Sequence, residues 1–95
     1  MIIMRNYDLV LVIKPSLSEA DRKKLIESVK GLIKDARITK EEDWGQKPLS
    51  YKIKKELAGY YVMMQLESEN GINTDLETKL FNNDEILRHL LLRTK

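Results

Sequence analysis

The sequence predicts an α+β fold with one four-stranded antiparallel sheet and two helices packed on one face of it. Three observations support this prediction. Four segments have the strand-like composition or two-residue alternation of β-strands, and two segments show the spacing of a one-sided helix. Both helical segments begin with capping sequences. The elements follow in the order strand, helix, strand, strand, helix, strand, which most simply gives a ferredoxin-like βαββαβ sandwich with one open sheet face.

The first strand is predicted over residues 7–14, and it ends at Pro15 because proline cannot donate a hydrogen bond to a sheet. Its side chains alternate between two faces, with Tyr7, Leu9, Leu11 and Ile13 on one and Asp8, Val10 and Val12 on the other. We expect the face that carries Tyr7 to form the core.

Two helices are predicted from capping sequences followed by helical spacing. Ser18 begins the first, in a capping box where Asp21 replaces the usual Glu. Its apolar face comprises Leu25, Ile26, Val29, Leu32 and Ile33. The second helix follows a turn at Asn70-Gly71 and a capping box that begins at Thr74. Its apolar residues are Ile72, Leu76, Leu80 and Phe81, and it ends at residues 82–84.

The middle of the chain predicts the second and third strands. Residues 36–44 are expected to form a weakly apolar strand at a sheet edge, and a connection marked by Gly45 and Pro48 separates them from the alternating residues 49–55. Residues 60–67 alternate again. Two interpretations stay open for residues 49–67, namely one long strand with a kink at Gly59 or two short strands. The last strand is predicted over residues 86–93.

Composition limits the class of protein. Ninety-five residues are expected to form a single domain, residues 1–95. The chain has no Cys and one His, so disulfides, thiolate metal sites and multi-histidine sites are excluded. Its net charge is +2. No signal core and no membrane-spanning stretch is visible, so we expect a cytoplasmic protein without a membrane partner.

No residue set points to catalysis. Glu41, Glu42 and Asp43 are adjacent, so in a strand they alternate between faces and do not converge as an acid–base pair. His89 has no Ser or Cys nucleophile arranged with it. We therefore expect no enzyme activity, no metal, no cofactor and no small-molecule substrate. The alternatives are a ligand-binding regulatory module and an acylphosphatase-type enzyme, for which Lys14 to Leu17 lack the required Arg and Gly.

Basic residues are placed for RNA contacts. Lysines gather around the connection between the second and third strands, and arginines lie near both chain ends; flexible cations near aromatic residues suit phosphate contacts and base stacking. The candidate RNA-binding residues are Arg5, Lys47, Lys52, Lys54, Arg88 and Arg93. The alternative is that these lysines only solvate strand edges.

The open sheet face is predicted to be unusually apolar. Val10, Val12, Tyr61 and Met63 contribute to it, together with leucines of the last strand. A protein partner that covers this face is one interpretation, since monomers seldom expose a wide apolar patch. The other is that central strands are generally apolar. Tyr61 and Met63 are therefore candidate partner contacts.

Several motifs together resemble the bacterial small-subunit ribosomal protein S6 family. They are Arg5-Asn6-Tyr7-Asp8, Glu42-Asp43-Trp44-Gly45, Leu49-Ser50-Tyr51-Lys52-Ile53, Gly59-Tyr60-Tyr61-Val62 and Asn83-Asp84-Glu85-Ile86-Leu87-Arg88. They cover nearly the whole chain in order, and Met4 matches the usual first residue of the family, so Met1 to Ile3 resemble a short extension. The chain departs from the family at Gln46, Ser50 and Lys52, where a basic residue, Ala and Pro are common.

The resemblance implies the fold given above and a structural role in the ribosome. Such proteins bind the central domain of 16S ribosomal RNA together with ribosomal protein S18, a small basic partner. Matched position by position, Arg5, Lys47 and Arg88 are implied phosphate contacts. The residues implied to shape the surface or meet the protein partner are Trp44, Gly45, Leu49 and Tyr51.

Overall fold

The computed structural model describes residues 5–33, 36–69, 71–72 and 74–94. Its elements are β1 (Arg5–Ile13), α1 (Glu19–Leu32), β2 (Arg37–Ile53), β3 (Glu56–Ser68), α2 (Thr74–Phe81) and β4 (Ile86–Arg93). The predicted βαββαβ order and the ferredoxin-like α+β class are confirmed. The suggested extension Met1 to Ile3, Asn70 of the predicted turn and the capping side chain of Thr74 lie outside what is described.

The four strands form one antiparallel sheet in the order β2-β3-β1-β4, so β2 is an edge strand as predicted. The first and last strands are neighbours, with Tyr7 opposite Arg93 and Val12 opposite Arg88. On the other side of β1, Leu9 pairs with Met64 and Val12 with Tyr61. Because side chains alternate along each strand, these registers put Leu9 and Met64 on the helix-covered face and Val12 and Tyr61 on the open face.

The core lies between the sheet and the two helices, and it confirms the predicted alternation of β1 and β3. Its buried members are Leu9, Leu11, Ile13, Leu25, Val29, Val62, Met64, Leu66, Leu76, Leu80 and Ile86. Phe81, one of the apolar residues that predicted the second helix, is not part of this core, since it is 76% exposed. It is the last residue of the eight-residue helix α2, and its neighbour Leu80 is the one that faces the core.

Helix α1 begins as predicted, since Ser18 is the N-cap and its Oγ accepts a hydrogen bond from the Asp21 N–H at 3.2 Å. Its apolar face packs on the core through Leu25 and Val29. On its flank, Lys30 Nζ lies 2.8 Å from a Glu41 carboxylate oxygen, which ties α1 to β2. This hydrogen bond raises the pKa of Lys30 above its ordinary value.

The predicted connection between the second and third strands was wrong. Residues 44–48 are not a loop, because β2 continues through them to Ile53. Residues 49–53 therefore belong to β2 and residues 56–68 form β3, so the interpretation as one long strand is wrong, and the two strands are longer than expected. The chain reverses at Lys54-Lys55 in a two-residue hairpin turn that pairs Ile53 with Glu56.

The signals that suggested a loop are irregularities of an edge strand. Trp44 is an extra residue between the pairs Asp43–Val62 and Gly45–Tyr61, which is a β-bulge. Gly45 has φ +79°, the conformation that favours glycine at such a bulge. Pro48 is tolerated because an edge strand does not need every N–H for the ladder. A second irregularity follows, where Leu49 to Lys52 lie opposite Leu57 alone, and a third lies earlier in the strand, between Ile38 and Lys40.

The hairpin turn uses two lysines in the left-handed region, Lys54 at φ 48° and Lys55 at φ 68°. A two-residue turn with both φ values positive is the type I′ geometry, for which Asn-Gly is the usual sequence. Lysine carries a steric penalty there because its Cβ approaches the carbonyl oxygen. This atypical sequence is why the turn was missed.

We therefore expect Lys55→Gly to stabilise the protein by about 0.5–1 kcal/mol, because glycine removes the left-handed penalty. Chemical denaturation measures the effect, and Lys52→Gly, within the strand, is the control that should destabilise. Equal losses of stability in both variants would contradict the assignment of the turn.

Glycine is required at position 59 because neighbouring side chains lie close to its backbone on the open face. A Cβ built there would lie 2.3 Å from Val12 Cγ1 and 3.5 Å from Leu49 Cδ2. The branched Val12 side chain is stiff and cannot withdraw freely. The second irregularity of β2 thus lays Leu49 over the Gly59 backbone.

Gly59→Ala is expected to destabilise the fold by about 1–3 kcal/mol through overpacking. Gly31→Ala is the matched control, because a Cβ at this helical position meets nothing within 4 Å. Helix propensity should make the Gly31 variant neutral or more stable by up to about 1 kcal/mol. Thermal unfolding of both variants measures the difference, and a harmless Gly59→Ala would contradict the close packing.

Candidate RNA and protein interface

The hairpin end of the open face brings together six of the residues predicted from the sequence. We call Trp44, Lys47, Leu49, Tyr51, Tyr61 and Arg88 the open-face cluster. They come from three strands. β2 contributes four of them, β3 contributes Tyr61 and β4 contributes Arg88. Both predicted RNA contacts and predicted partner contacts are included, so the two sets share one surface.

Lys47 lies above two aromatic rings of this cluster. Its Nζ is 5.4 Å from the centroid of the Trp44 ring and 5.9 Å from that of Tyr61. Such distances give a cation–π attraction that positions the ammonium group over the aromatic faces. The lysine side chain is exposed, and the Trp44 ring is 40% exposed. Both a cation and an aromatic surface are therefore available to a ligand.

The Trp44 indole is held by an acidic neighbour. Its Nε1–H donates to a Glu42 carboxylate oxygen at 3.0 Å, and Lys40 Nζ lies 2.9 Å from the other oxygen of that carboxylate. The indole hydrogen bond, followed by the one from Lys40, lowers the pKa of Glu42 below its usual range. The carboxylate therefore stays ionised near neutral pH and fixes the ring.

Arg88 and Tyr51 connect β4 to the irregular end of β2. The Arg88 guanidinium donates to the Tyr51 hydroxyl at 3.0 Å. Between them is a shallow depression of about 100 Å³, lined by Val12, Leu49, Ser50, Tyr51, Ile53, Tyr61 and Arg88. Val12, at its base, is only 6% exposed. The chain's own hairpin end covers part of the apolar face that was expected to be open.

The other predicted RNA contacts lie outside this cluster. Lys52 and Lys54 are at the hairpin end, where Lys54 Nζ donates to the Ile86 carbonyl at 3.4 Å. Arg5 and Arg93 lie at the opposite end of the sheet. Arg5 and Val12 are seven residues apart in β1, so roughly 23 Å separates Arg5 from the Arg88 position. Four of the six cations therefore lie at the hairpin end of the sheet, and Arg5 and Arg93 lie at the opposite end.

Two of the predicted partner contacts offer little side-chain surface. Gly45 occupies the bulge, and Met63 is 7% exposed. Other apolar side chains extend the cluster along β4, because Leu90 is 43% and Leu92 is 50% exposed. Their registers opposite Val10 and Asp8 place them on the open face. The sequence predicted leucines of the last strand on the open face, although Leu90 and Leu92 were not named as candidate site residues.

A second set of contacts lies beneath the bulge on the helix-covered face. The Arg22 guanidinium of α1 stacks 3.8 Å from the centroid of the Tyr60 ring. The Tyr60 hydroxyl donates to Asp43 Oδ2, and Asp43 Oδ1 accepts the Gly45 N–H at 2.9 Å. No sequence pattern predicted this network, because its three side chains come from three elements.

The described residues give little support for other site classes. His89 Nε2 lies 3.3 Å from Glu77 Oε1 of α2, which accounts for a histidine in the middle of a strand. Within the described ranges, no group of three or more His, Asp or Glu side chains could hold a metal ion. No described helix has both the length and the apolar character needed to cross a bilayer.

The Asp43 hydrogen bond raises the pKa of Tyr60, because the carboxylate stabilises the protonated hydroxyl. A group whose pKa is higher in the folded state stabilises the fold below its unfolded pKa and loses that contribution as pH rises through the folded pKa. We therefore expect stability to fall more steeply above about pH 10 in the native protein than in Tyr60→Phe. Denaturation from pH 8 to 11.5 measures this, and parallel curves would contradict it.

Comparison with known proteins agrees with this geometry. The family model for ribosomal protein S6 matches residues 6–93. Small ribosomal subunit proteins bS6 of Thermoanaerobacter pseudethanolicus and Caldanaerobacter subterraneus are each 40% identical over 93 residues, covering 96% of this chain and 98% of theirs. The crystal structure of 30S ribosomal protein S6 from Thermotoga maritima superposes with a TM-score of 0.88 at 29% identity, over 96% of this chain and 88% of that one. The resemblance in the sequence motifs is thereby confirmed, and the chain belongs to the ribosomal protein S6 family.

Proposed function

We propose that this chain is a structural component of the small ribosomal subunit that binds the central domain of 16S ribosomal RNA together with ribosomal protein S18. The observation that carries the proposal is the open-face cluster, where exposed cations, aromatic rings and apolar side chains share one surface. A protein in this role acts on the ribosome in the cytoplasm, as one domain over residues 1–95.

Lys47 and Arg88 are the proposed RNA contacts of the cluster. Both are exposed cations beside aromatic rings, an arrangement that suits a phosphate next to a stacked base. Arg5 and Arg93 at the far end, and Lys52 and Lys54 at the hairpin, supply further contacts. Two separated basic groups, one at each end of the sheet, fit a folded RNA, which presents phosphates on several helices.

The apolar part of the same face is the proposed contact for S18. Leu49, Tyr51 and Tyr61 of the cluster continue into the exposed Leu90 and Leu92 of β4. A net charge of +2 gives little RNA affinity by itself, and a basic partner on this face would add the missing phosphate contacts. Trp44 and Gly45 shape the border of the surface, and Met63 supports it from below.

The alternative functions gain no support from the site. The family is one of ribosomal proteins and not of enzymes. A ligand-binding module needs a pocket of about 300–1,000 Å³ with convergent polar groups. The open-face depression is about 100 Å³. A larger groove of about 340 Å³ beside α2 is lined mainly by apolar residues, and its Lys54 is bonded to a backbone carbonyl.

The test is binding of the chain with S18 to a central-domain fragment of 16S RNA. Lys47→Gln and Arg88→Gln should each weaken binding by about threefold to tenfold and reduce the slope of log affinity against log salt by about 1. Filter binding at several salt concentrations measures both quantities. Thermal unfolding checks that Arg88→Gln remains folded after losing its bond to Tyr51.

Lys23→Gln is the matched control, because Lys23 is an exposed lysine of α1 that pairs only with Glu19 among the described contacts, at 3.4 Å. This variant removes the same charge on the helix side and should leave affinity and salt slope unchanged. Equal effects at Lys23 and Lys47 would show that net charge, and not the cluster, governs binding. A chain that ignored both S18 and the RNA would refute the proposed function.

A further inference from the structure

The β-bulge at Trp44 determines which face of the sheet the following residues occupy. Before the bulge, Asp43 lies opposite Val62 on the helix-covered face. After it, Gly45 lies opposite Tyr61 on the open face, although residues 43 and 45 would share a face in a regular strand. Lys47, opposite Gly59, follows Gly45 to the open face. The one extra residue, Trp44, therefore moves the side chains that follow it in β2 to the opposite face of the sheet.

Without this bulge, strand alternation would direct Lys47 toward the helices. A one-residue change of register moves every later side chain to the other face. The open-face cluster depends on this exchange, because its cation reaches Trp44 and Tyr61 only from the open side. Whatever stabilises the bulge therefore also positions the binding surface.

The bulge is secured from the helix-covered face. Asp43 uses Oδ1 to accept the Gly45 N–H at 2.9 Å and Oδ2 to accept the Tyr60 hydroxyl. Tyr60 is in turn packed against the Arg22 guanidinium, 3.8 Å from the ring centroid. The carboxylate is therefore held by Tyr60 of β3, which packs against α1, while it holds the backbone of β2.

We infer that Asp43 and Tyr60, supported by Arg22, are positioning residues for the RNA and protein interface on the opposite face of the sheet. They touch neither RNA nor partner. They hold the Trp44-Gly45 bulge in the one geometry that directs Lys47 and the Trp44 ring to the open face. The interface role of that face rests on the proposed function, whereas the positioning of Trp44 and Lys47 does not.

The only tryptophan of the chain reports the bulge geometry directly. Tyr60→Phe removes the hydroxyl donor but keeps the ring beside Arg22. In the free protein, we expect this variant to show red-shifted Trp44 emission, stronger acrylamide quenching and a displaced Gly45 amide resonance. In the complex, we expect RNA affinity in the presence of S18 to fall by about threefold to tenfold, the usual effect of one lost hydrogen bond.

Asp43 provides a rescue series. Asp43→Ala removes both acceptors and should have the larger effect on the Trp44 spectrum and on affinity. Asp43→Asn keeps an oxygen for the Gly45 N–H and an amide group that can donate to the Tyr60 hydroxyl, so it should restore most of the native signal. If RNA affinity fell only because the variants were less stable, the affinity would follow their free energies of unfolding. The Trp44 spectrum of the folded protein would then be unchanged.

Lys30→Gln is the matched control. It removes another contact between α1 and β2, the 2.8 Å ion pair with Glu41, without touching the bulge. It should change neither Trp44 quenching nor RNA affinity, even if it lowers the unfolding temperature. A Trp44 signal that moves equally in Lys30→Gln and Tyr60→Phe would overturn the inference.

Failure of the positioning role and failure of the proposed function give different experimental results. Native quenching and a native Gly45 resonance in Tyr60→Phe would overturn the positioning role, whatever the RNA does. Native RNA affinity in Tyr60→Phe, with binding lost in Lys47→Gln, would also overturn it. If the native chain binds neither S18 nor the RNA, the proposed function fails, and the free-protein measurements still decide whether Asp43 and Tyr60 hold the bulge.

Discussion

The alternation of an edge strand is the constraint on which the functional surface depends. β2 is 17 residues long, and its irregularities decide which of its side chains face the helices and which face outward. Asp43 secures the first irregularity through the Gly45 N–H. An edge strand can accept such insertions because only one side of it is bonded to the sheet, and bulges are common at edges and beside functional sites.

The second irregularity gives the open face its shape. Because residues 49–52 lie opposite Leu57 alone, this part of β2 arches over the sheet, and Leu49 covers Gly59 while Tyr51 reaches Arg88 of β4. The same arch buries Val12. A face that would otherwise be a flat apolar sheet thus becomes a cluster of aromatic rings, cations and a shallow depression. Its remaining exposed apolar side chains lie on β4.

Most of the contacts that stabilise the fold are distinct from those that shape the surface. Eleven buried apolar side chains between the sheet and the helices form the core, and β1 is central to it. The ion pairs are mostly on the surface, such as Lys23 with Glu19, where exposed pairs contribute little to stability. The Tyr60 ring packs against this core, so Tyr60→Phe, which keeps the ring, and the Asp43 variants test the interface without removing a core side chain.

The sequence by itself determined the fold class, the order of elements, the core faces of β1, β3 and α1, and the Ser18 cap, because each depends on the periodicity or chemistry of neighbouring residues. It also suggested Lys47 and Arg88 as RNA contacts and Trp44 and Tyr51 as partner contacts, but not that the four share one surface. Only the tertiary structure decided that residues 44–48 continue a strand, since a Gly and a Pro mark a loop and an edge-strand bulge alike. The Arg22–Tyr60–Asp43 network and the covering of Val12 join residues that are distant along the chain. No local pattern records such contacts, because strand register and long-range packing create them.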